Sequence, residues 1–160
     1  MYRKGVSALI INTSDEFLLV NLESFQEKYF AIPGGGVESQ ETLDEAVHRE
    51  IFEELGIVKD SLALIGNSED PVRFLFKHGL LVREGKNYIG QERYFFGFRF
   101  IGSDVEIKPK TGEVRSYKWV SLISLKSYLL FDNQFQETVK KIAEIFPTIL
   151  NEVSELYLDT

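Results

Sequence analysis

The nine residues from Arg49 to Ile57, REIFEELGI, place three glutamates within five positions. On a helix advancing about 100° per residue, Glu53 lies about 60° to one side of Glu50 and Glu54 about 40° to the other. All three carboxylates therefore leave one face. Like charges at this spacing repel by roughly a few tenths of a kcal/mol per pair in water, and by more where the face is partly buried. Arg49 can neutralise one glutamate at most, and no lysine lies between Glu38 and Glu54. The charge left over calls for hard cations. Oxygen ligands suit Mg²⁺ or Mn²⁺ better than zinc, which prefers nitrogen and sulfur. Mg²⁺ keeps several waters and is usually completed by substrate phosphates, so the face predicts phosphoanhydride hydrolysis. On these residues alone a solvated surface helix is the competing reading.

The flanking pattern says what must hold that face. VSALIINTSDEFLLVNL reads as two strands joined by a polar turn, and YFAIPGGGVESQ as a short aromatic strand in which Pro33 and three glycines stop regular structure. A helix is expected from Glu41 to Leu55, ended by Gly56, with Val47, Ile51 and Leu55 as its buried stripe. SLALIGN, RFLFKHGLLV, ERYFFGFRFIG and RSYKWVSL look like strands, and REGKN like a turn. From about Asn133 to Leu156 the periodicity is helical, divided at Pro147. Strands with one internal and one C-terminal helix predict an α/β protein, a mixed sheet covered on both faces.

Length and composition restrict the function classes. The 160 residues show no composition break, so one domain over 1–160 is expected. Hydrophobic residues at 44% and charged residues at 27% fit a soluble globular chain; no membrane span or signal peptide is expected. With no cysteine, disulfides and thiolate metal sites are excluded and the cytoplasm is the default compartment. A net charge of −7 argues against a DNA-binding or general nucleic-acid-binding surface but permits an anionic substrate met through cations.

Extended outward, the segment GGVESQETLDEAVHREIFEELGI resembles the Nudix box at every fixed position: Gly35, Glu41, Arg49, Glu50, Ile51, Glu53, Glu54, Gly56 and Ile57. The chain is identified by this resemblance as a Nudix hydrolase, which implies an α/β/α sandwich with the box as loop, helix and loop. It also implies that Glu50, Glu53 and Glu54, with the Gly34 carbonyl, ligate the metals, and that Glu41 and Arg49 hold the loop and helix together. A further acid from a later loop is expected at Glu113, with Glu106 or Glu92 as alternatives. Glu50 or Glu113 would accept the proton.

Two segments resemble the subgroup of bacterial RNA pyrophosphohydrolases and diadenosine polyphosphate hydrolases: YRKGVSALI, with Arg3, and GQERYFF, with Gln91. LLFDNQFQETVKKIAEIF is similar to its closing helix, with Phe131 as the aromatic near the nucleotide. AIPGGG departs from the subgroup's QFPQGG, so Ala31 and Gly34 stand where it has glutamines. A nucleoside polyphosphate site needs an aromatic platform and cations. Tyr29, Phe30 and Phe131 are candidates for the platform, and Arg3, Lys28 and Arg93 for the phosphates; the competing reading puts the aromatics in the core and the cations in solvent. His48 is expected to be an exposed helix residue, and His78 to lie in a loop or edge strand. The substrates left open are a dinucleoside polyphosphate, a nucleoside triphosphate, a nucleotide sugar and a 5′-triphosphorylated RNA end. A module that senses a nucleotide without cleaving it is the alternative.

Overall fold

The computed structural model describes residues 1–76, 79–130 and 133–149. In chain order its elements are β1 (Tyr2–Ile11), β2 (Phe17–Leu22), β3 (Gly34–Gly36), α1 (Leu43–Leu55), β4 (Leu62–Asn67), β5 (Val72–Leu75), β6 (Leu81–Arg83), β7 (Lys86–Tyr88), β8 (Gly90–Phe100), β9 (Val114–Val120), α2 (Leu122–Leu125) and α3 (Gln134–Ile145). The main sheet runs β4-β8-β1-β2-β9, with β3 also paired to β1 and β5 to β8. β1 and β8 run parallel along their whole length, from Tyr2 opposite Gly90 to Ile11 opposite Arg99. β6 and β7 form a separate hairpin.

Side chains alternate across a strand, so each central strand feeds two cores. Val6, Ala8 and Ile10 of β1, with Leu18 and Val20 of β2, meet Val47, Ile51 and Leu55 of α1. Leu9 and Ile11, with Phe17 and Leu19, meet Val139, Ile142 and Ile145 of α3. This is the expected α/β/α sandwich. The α1 stripe is completely buried, each of its three side chains contributing about 1.5–3 kcal/mol. With that stripe fixed on the sheet, the rotation of α1, and so the aim of its glutamates, is fixed as well.

The helix starts two residues later than expected, because Thr42 is its N-cap. The Thr42 hydroxyl accepts from Glu45 N (3.1 Å) while Glu45 accepts from Thr42 N (3.0 Å), a capping box. Gly56 ends the helix as expected, in the left-handed conformation at φ 70°.

Three other expectations are corrected. Gly34–Gly36 does not end regular structure; it pairs antiparallel with Gly5, Val6 and Ser7 of β1. Pro33 only lacks a donor, and its carbonyl accepts from Ala8 N at 2.8 Å. The aromatic strand before it is reduced to single bridges, Val20 to Ala31 and Phe30 to Leu129. RFLFKHGLLV is divided between β5, on the main sheet, and β6, in the hairpin. His78 lies outside the described residues. In the C-terminal segment α3 ends before Pro147 and helical backbone resumes at 147–149, as the proline predicts, while the rest of the expected stretch to Leu156 lies outside the described residues.

Candidate functional site

The three glycines of β3 form the floor of the site, because each has a charged side chain laid on it. A Cβ on Gly34 would come within 2.6 Å of Arg93 Nη1, one on Gly35 within 2.4 Å of the Glu50 carboxylate, and one on Gly36 within 2.4 Å of the Arg3 guanidinium. At Gly34 the backbone also bars a side chain, since a Cβ would stand 2.0 Å from Val6 O, while at Gly35 and Gly36 a Cβ would displace the ends of Glu50 and Arg3. Glycine here serves close approach of side chains to backbone.

Above the floor, α1 presents its carboxylates. Arg49 grips Glu41 through two bonds, Nε to Oε2 at 2.6 Å and Nη2 to Oε1 at 2.9 Å. Its Nη2 also donates to Gly36 O at 2.8 Å, and its Nη1 to Glu50 Oε1 (2.9 Å) and Glu53 Oε2 (3.2 Å). Arg49 therefore offsets more than the one glutamate expected of it, since a planar fork with five donors can bridge several acids. The Glu41 carboxyl is held below its ordinary value, chiefly by the hydrogen bond from Arg49. Glu50 is pushed up by burial against the opposing pull of Arg49.

Glu54 is the most enclosed of the three, with the residue 9% exposed. Its Oε1 accepts from Gly34 N at 2.9 Å, which ties the helix to the glycine floor. Burial pushes its carboxyl up to about 8, against the Gly34 hydrogen bond, with Glu50 and Glu113 adding to the rise and Arg93 opposing it. Arg93 sits across the floor, donating through Nη1 to Val6 O (2.8 Å) and Ser7 Oγ (3.3 Å) and through Nε to Gln91 Oε1 (2.9 Å). Burial draws its own value down, while the fields of Glu54 and Glu50 hold it up.

Of these groups Gly34, Glu54 and Arg93 line a cleft of about 1480 Å³, whereas Arg3, Glu50 and Glu53 lie outside its lining. Gly34, Glu54, Gln91, Arg93 and Ser7 form its polar end, and Phe25, Phe74 and Phe76 contribute an aromatic wall. A polar head with an apolar flank is the usual form of a small-molecule site.

The family model described as NUDIX domain matches residues 1–141. The chain belongs to the Nudix family. An RNA pyrophosphohydrolase of Zymomonas mobilis is 32% identical over 122 residues, spanning 74% of this chain and 79% of the relative. One from Pelagibacter ubique is 29% identical over 150 residues, spanning 89% and 92%. Among solved structures, an E. coli dihydroneopterin triphosphate pyrophosphohydrolase superposes with a TM-score of 0.67 at 21% identity, covering 88% of this chain and 96% of its own. A C. elegans Ap4A hydrolase gives 0.65 at 18% identity, covering 94% and 98%. The fold and enzyme class expected from the sequence agree with these relatives.

The Nudix helix meets the chemical requirement for a divalent metal. Its donors are all oxygen, and Glu54 is a carboxyl that burial lifts to about 8, so that a cation beside it would favour the charged form. Among the described residues, no three His, Asp or Glu side chains converge as a ready cage. Glu50 and Glu53 are turned toward Arg49, and Glu53 is 44% exposed in its side chain. Glu113 stands on the loop before β9, paired with Lys110 at 3.2 Å. That loop is bonded to the end of α1 through Lys110 N to Glu54 O (3.0 Å). Glu92 pairs with Arg73, and Glu106 with Ser61 and Ser103 N, so all three candidates for the further acid have partners.

Among the candidate substrate contacts, Arg3, Gln91 and Arg93 are brought to the glycine floor. Tyr29 is not part of the cleft lining; its ring lies beneath Lys28 Nζ at 5.0 Å. Phe30 is a core residue, packed edge-on against Tyr128. Phe131 lies outside the described residues. His48 is half-buried, not exposed; its ring meets Phe98 at 5.1 Å, and burial lowers its value. The aromatic wall went unread in the sequence, although the alternation of Phe74 and Phe76 in RFLF carried a signal for two side chains on one face.

Proposed function

We propose that this Nudix enzyme is a Mg²⁺-dependent pyrophosphohydrolase that cleaves a phosphoanhydride bond in a nucleoside diphosphate linked to another group. The observation that carries the reading is the meeting of Glu54, Gly34 and Arg93 at the head of a cleft with an aromatic flank. Glu50, Glu53 and Glu54, with the Gly34 backbone and Glu113 from the neighbouring loop, would hold the cations. When bound, Mg²⁺ or Mn²⁺ supplies charge neutralisation of the phosphates and acidifies the attacking water.

The chain's own residues do the rest. Arg49 keeps Glu50 and Glu53 on the substrate side of α1 while bracing the helix against Glu41 and Gly36. Arg93 and Arg3 offer positive charge over Gly34 and Gly36, where a phosphate chain would run toward the cleft. The aromatic wall excludes water from one side of a bound base. Glu50 or Glu113 accepts the proton; the pH profiles of Glu50→Gln and Glu113→Gln tell them apart.

The relatives named for RNA make a 5′-triphosphorylated RNA end one substrate to test, beside dinucleoside polyphosphates, nucleoside triphosphates and nucleotide sugars. The absence of cysteine and the acidic charge fit a cytoplasmic enzyme acting as one domain over 1–160. The test is turnover of this panel with Mg²⁺ or Mn²⁺ by the wild type, Glu53→Gln and Glu54→Gln. Each substitution is expected to lower turnover by about 100-fold or more with the fold intact. Wild-type rates in both variants rule the proposal out.

A further inference from the structure

Asn21 is an amide near the end of an otherwise apolar strand, FLLVNL, and only 2% exposed. A buried amide persists where its hydrogen bonds are made, and here they are. Its Nδ2 donates to Glu27 O (3.0 Å) and Tyr29 O (2.8 Å), and its Oδ1 accepts from Arg115 Nη1 at 2.5 Å. Arg115 Nη2 donates in turn to Glu23 O and Phe25 O, each at 3.3 Å. Two side chains thus take up the carbonyls of four alternate residues, 23, 25, 27 and 29, in the loop that leaves β2.

The strand pairing is built to deliver Arg115 to this position. In the β2–β9 ladder Asn21 faces Ser116 and Leu22 faces Val114, so Arg115 is the extra residue of a β-bulge. A bulge re-aims its side chain out of the regular alternation. The loop it reaches carries Ser24 and Phe25 into the cleft wall, and Glu23 N of that loop donates to Glu113 O at 2.9 Å.

We infer that Asn21 and Arg115 are positioning residues, which hold Phe25 against the non-phosphate part of the substrate and so set affinity for the base. The inference rests on the function proposed above. A loop of turns and bends without this clamp would have to order itself on binding, and that cost would fall on the base and not on the phosphates.

The experiment titrates an α,β-methylene analogue of ATP and, separately, inorganic tripolyphosphate, both with Mg²⁺, into folded wild-type and variant protein. Phe25→Ala and Arg115→Ala are each expected to weaken the nucleotide about 10-fold while tripolyphosphate holds within about twofold. The double variant should bind the nucleotide no more weakly than either single one, because both act through one ring, and Arg115→Lys should recover part of the loss. Equal losses for both ligands, or wild-type nucleotide affinity in Phe25→Ala, overturn the clamp and leave the enzyme assignment standing. A wild type that binds neither ligand overturns both. Should Arg115→Ala not fold, Phe25→Ala and Arg115→Lys decide the matter.

Discussion

The Glu50 carboxylate lies on Gly35 so closely that a Cβ there would stand 2.4 Å from it. The box glycine thus creates the space that the first of the three crowded glutamates occupies. Gly35→Ala must move Glu50 outward, and a displacement of about 1 Å in such a site costs on the order of 100-fold in rate. Turnover should fall by that much while the melting temperature changes little, as steady-state kinetics beside a thermal melt will show.

Glu54 gives a pH dependence of stability in metal-free protein. Its folded value of about 8 lies above the ordinary 4.5, so the folded chain binds this proton more tightly than the unfolded chain does. The stabilisation is complete below pH 4.5 and is lost as pH rises toward 8, a change on the order of 5 kcal/mol at most. Urea denaturation in chelator at about pH 5 and pH 9 should show the decline. Glu54→Gln should flatten it, and Mg²⁺ should restore wild-type stability at the higher pH.

Arg49 holds Glu41 through a two-pronged contact that an ammonium group cannot reproduce. Arg49→Lys is expected to lower metal affinity and turnover by about 10- to 100-fold, as loss of a supporting group around metal ligands does. Mn²⁺ titration followed by calorimetry reads the first effect, and initial rates the second.

The Arg3 guanidinium lies over Gly36 and makes no side-chain hydrogen bond or ion pair among the described residues, so its charge is available to a ligand. Arg3→Gln should raise KM severalfold with kcat nearly unchanged. A fall in kcat at constant KM would assign it to the reaction step instead.

Thr42→Ala removes one half of the capping box and should cost about 1 kcal/mol of stability. The site lies along α1 beyond its first turn, so activity per folded molecule should not change. Chemical denaturation and an assay on the same preparation measure both.

The crowded glutamates, the helix with its buried stripe and its glycine stop are local facts of the chain, carried by periodicity, by residue type and by the resemblance to the Nudix box. The glycine run misled for an instructive reason. Read locally, three glycines lack side chains to stabilise a strand, whereas β3 exists because β1 supplies its hydrogen bonds and because Arg93, Glu50 and Arg3 need its bare surface. The charge balance was also underread, since Arg93 is 44 positions beyond Arg49 in the chain and only the β1–β8 pairing brings it to Glu54.

The chemical inventory is legible in the chain alone: a crowded acidic helix face with the Nudix spacing. The tertiary structure decided what surrounds that face. It chose Phe25, Phe74 and Phe76 over Tyr29 and Phe30 as the aromatic flank and buried Glu54 against Gly34 of β3. Spacing along one helix follows from a fixed turn of the backbone, but contact between strands distant in the chain depends on register, and no local pattern encodes it.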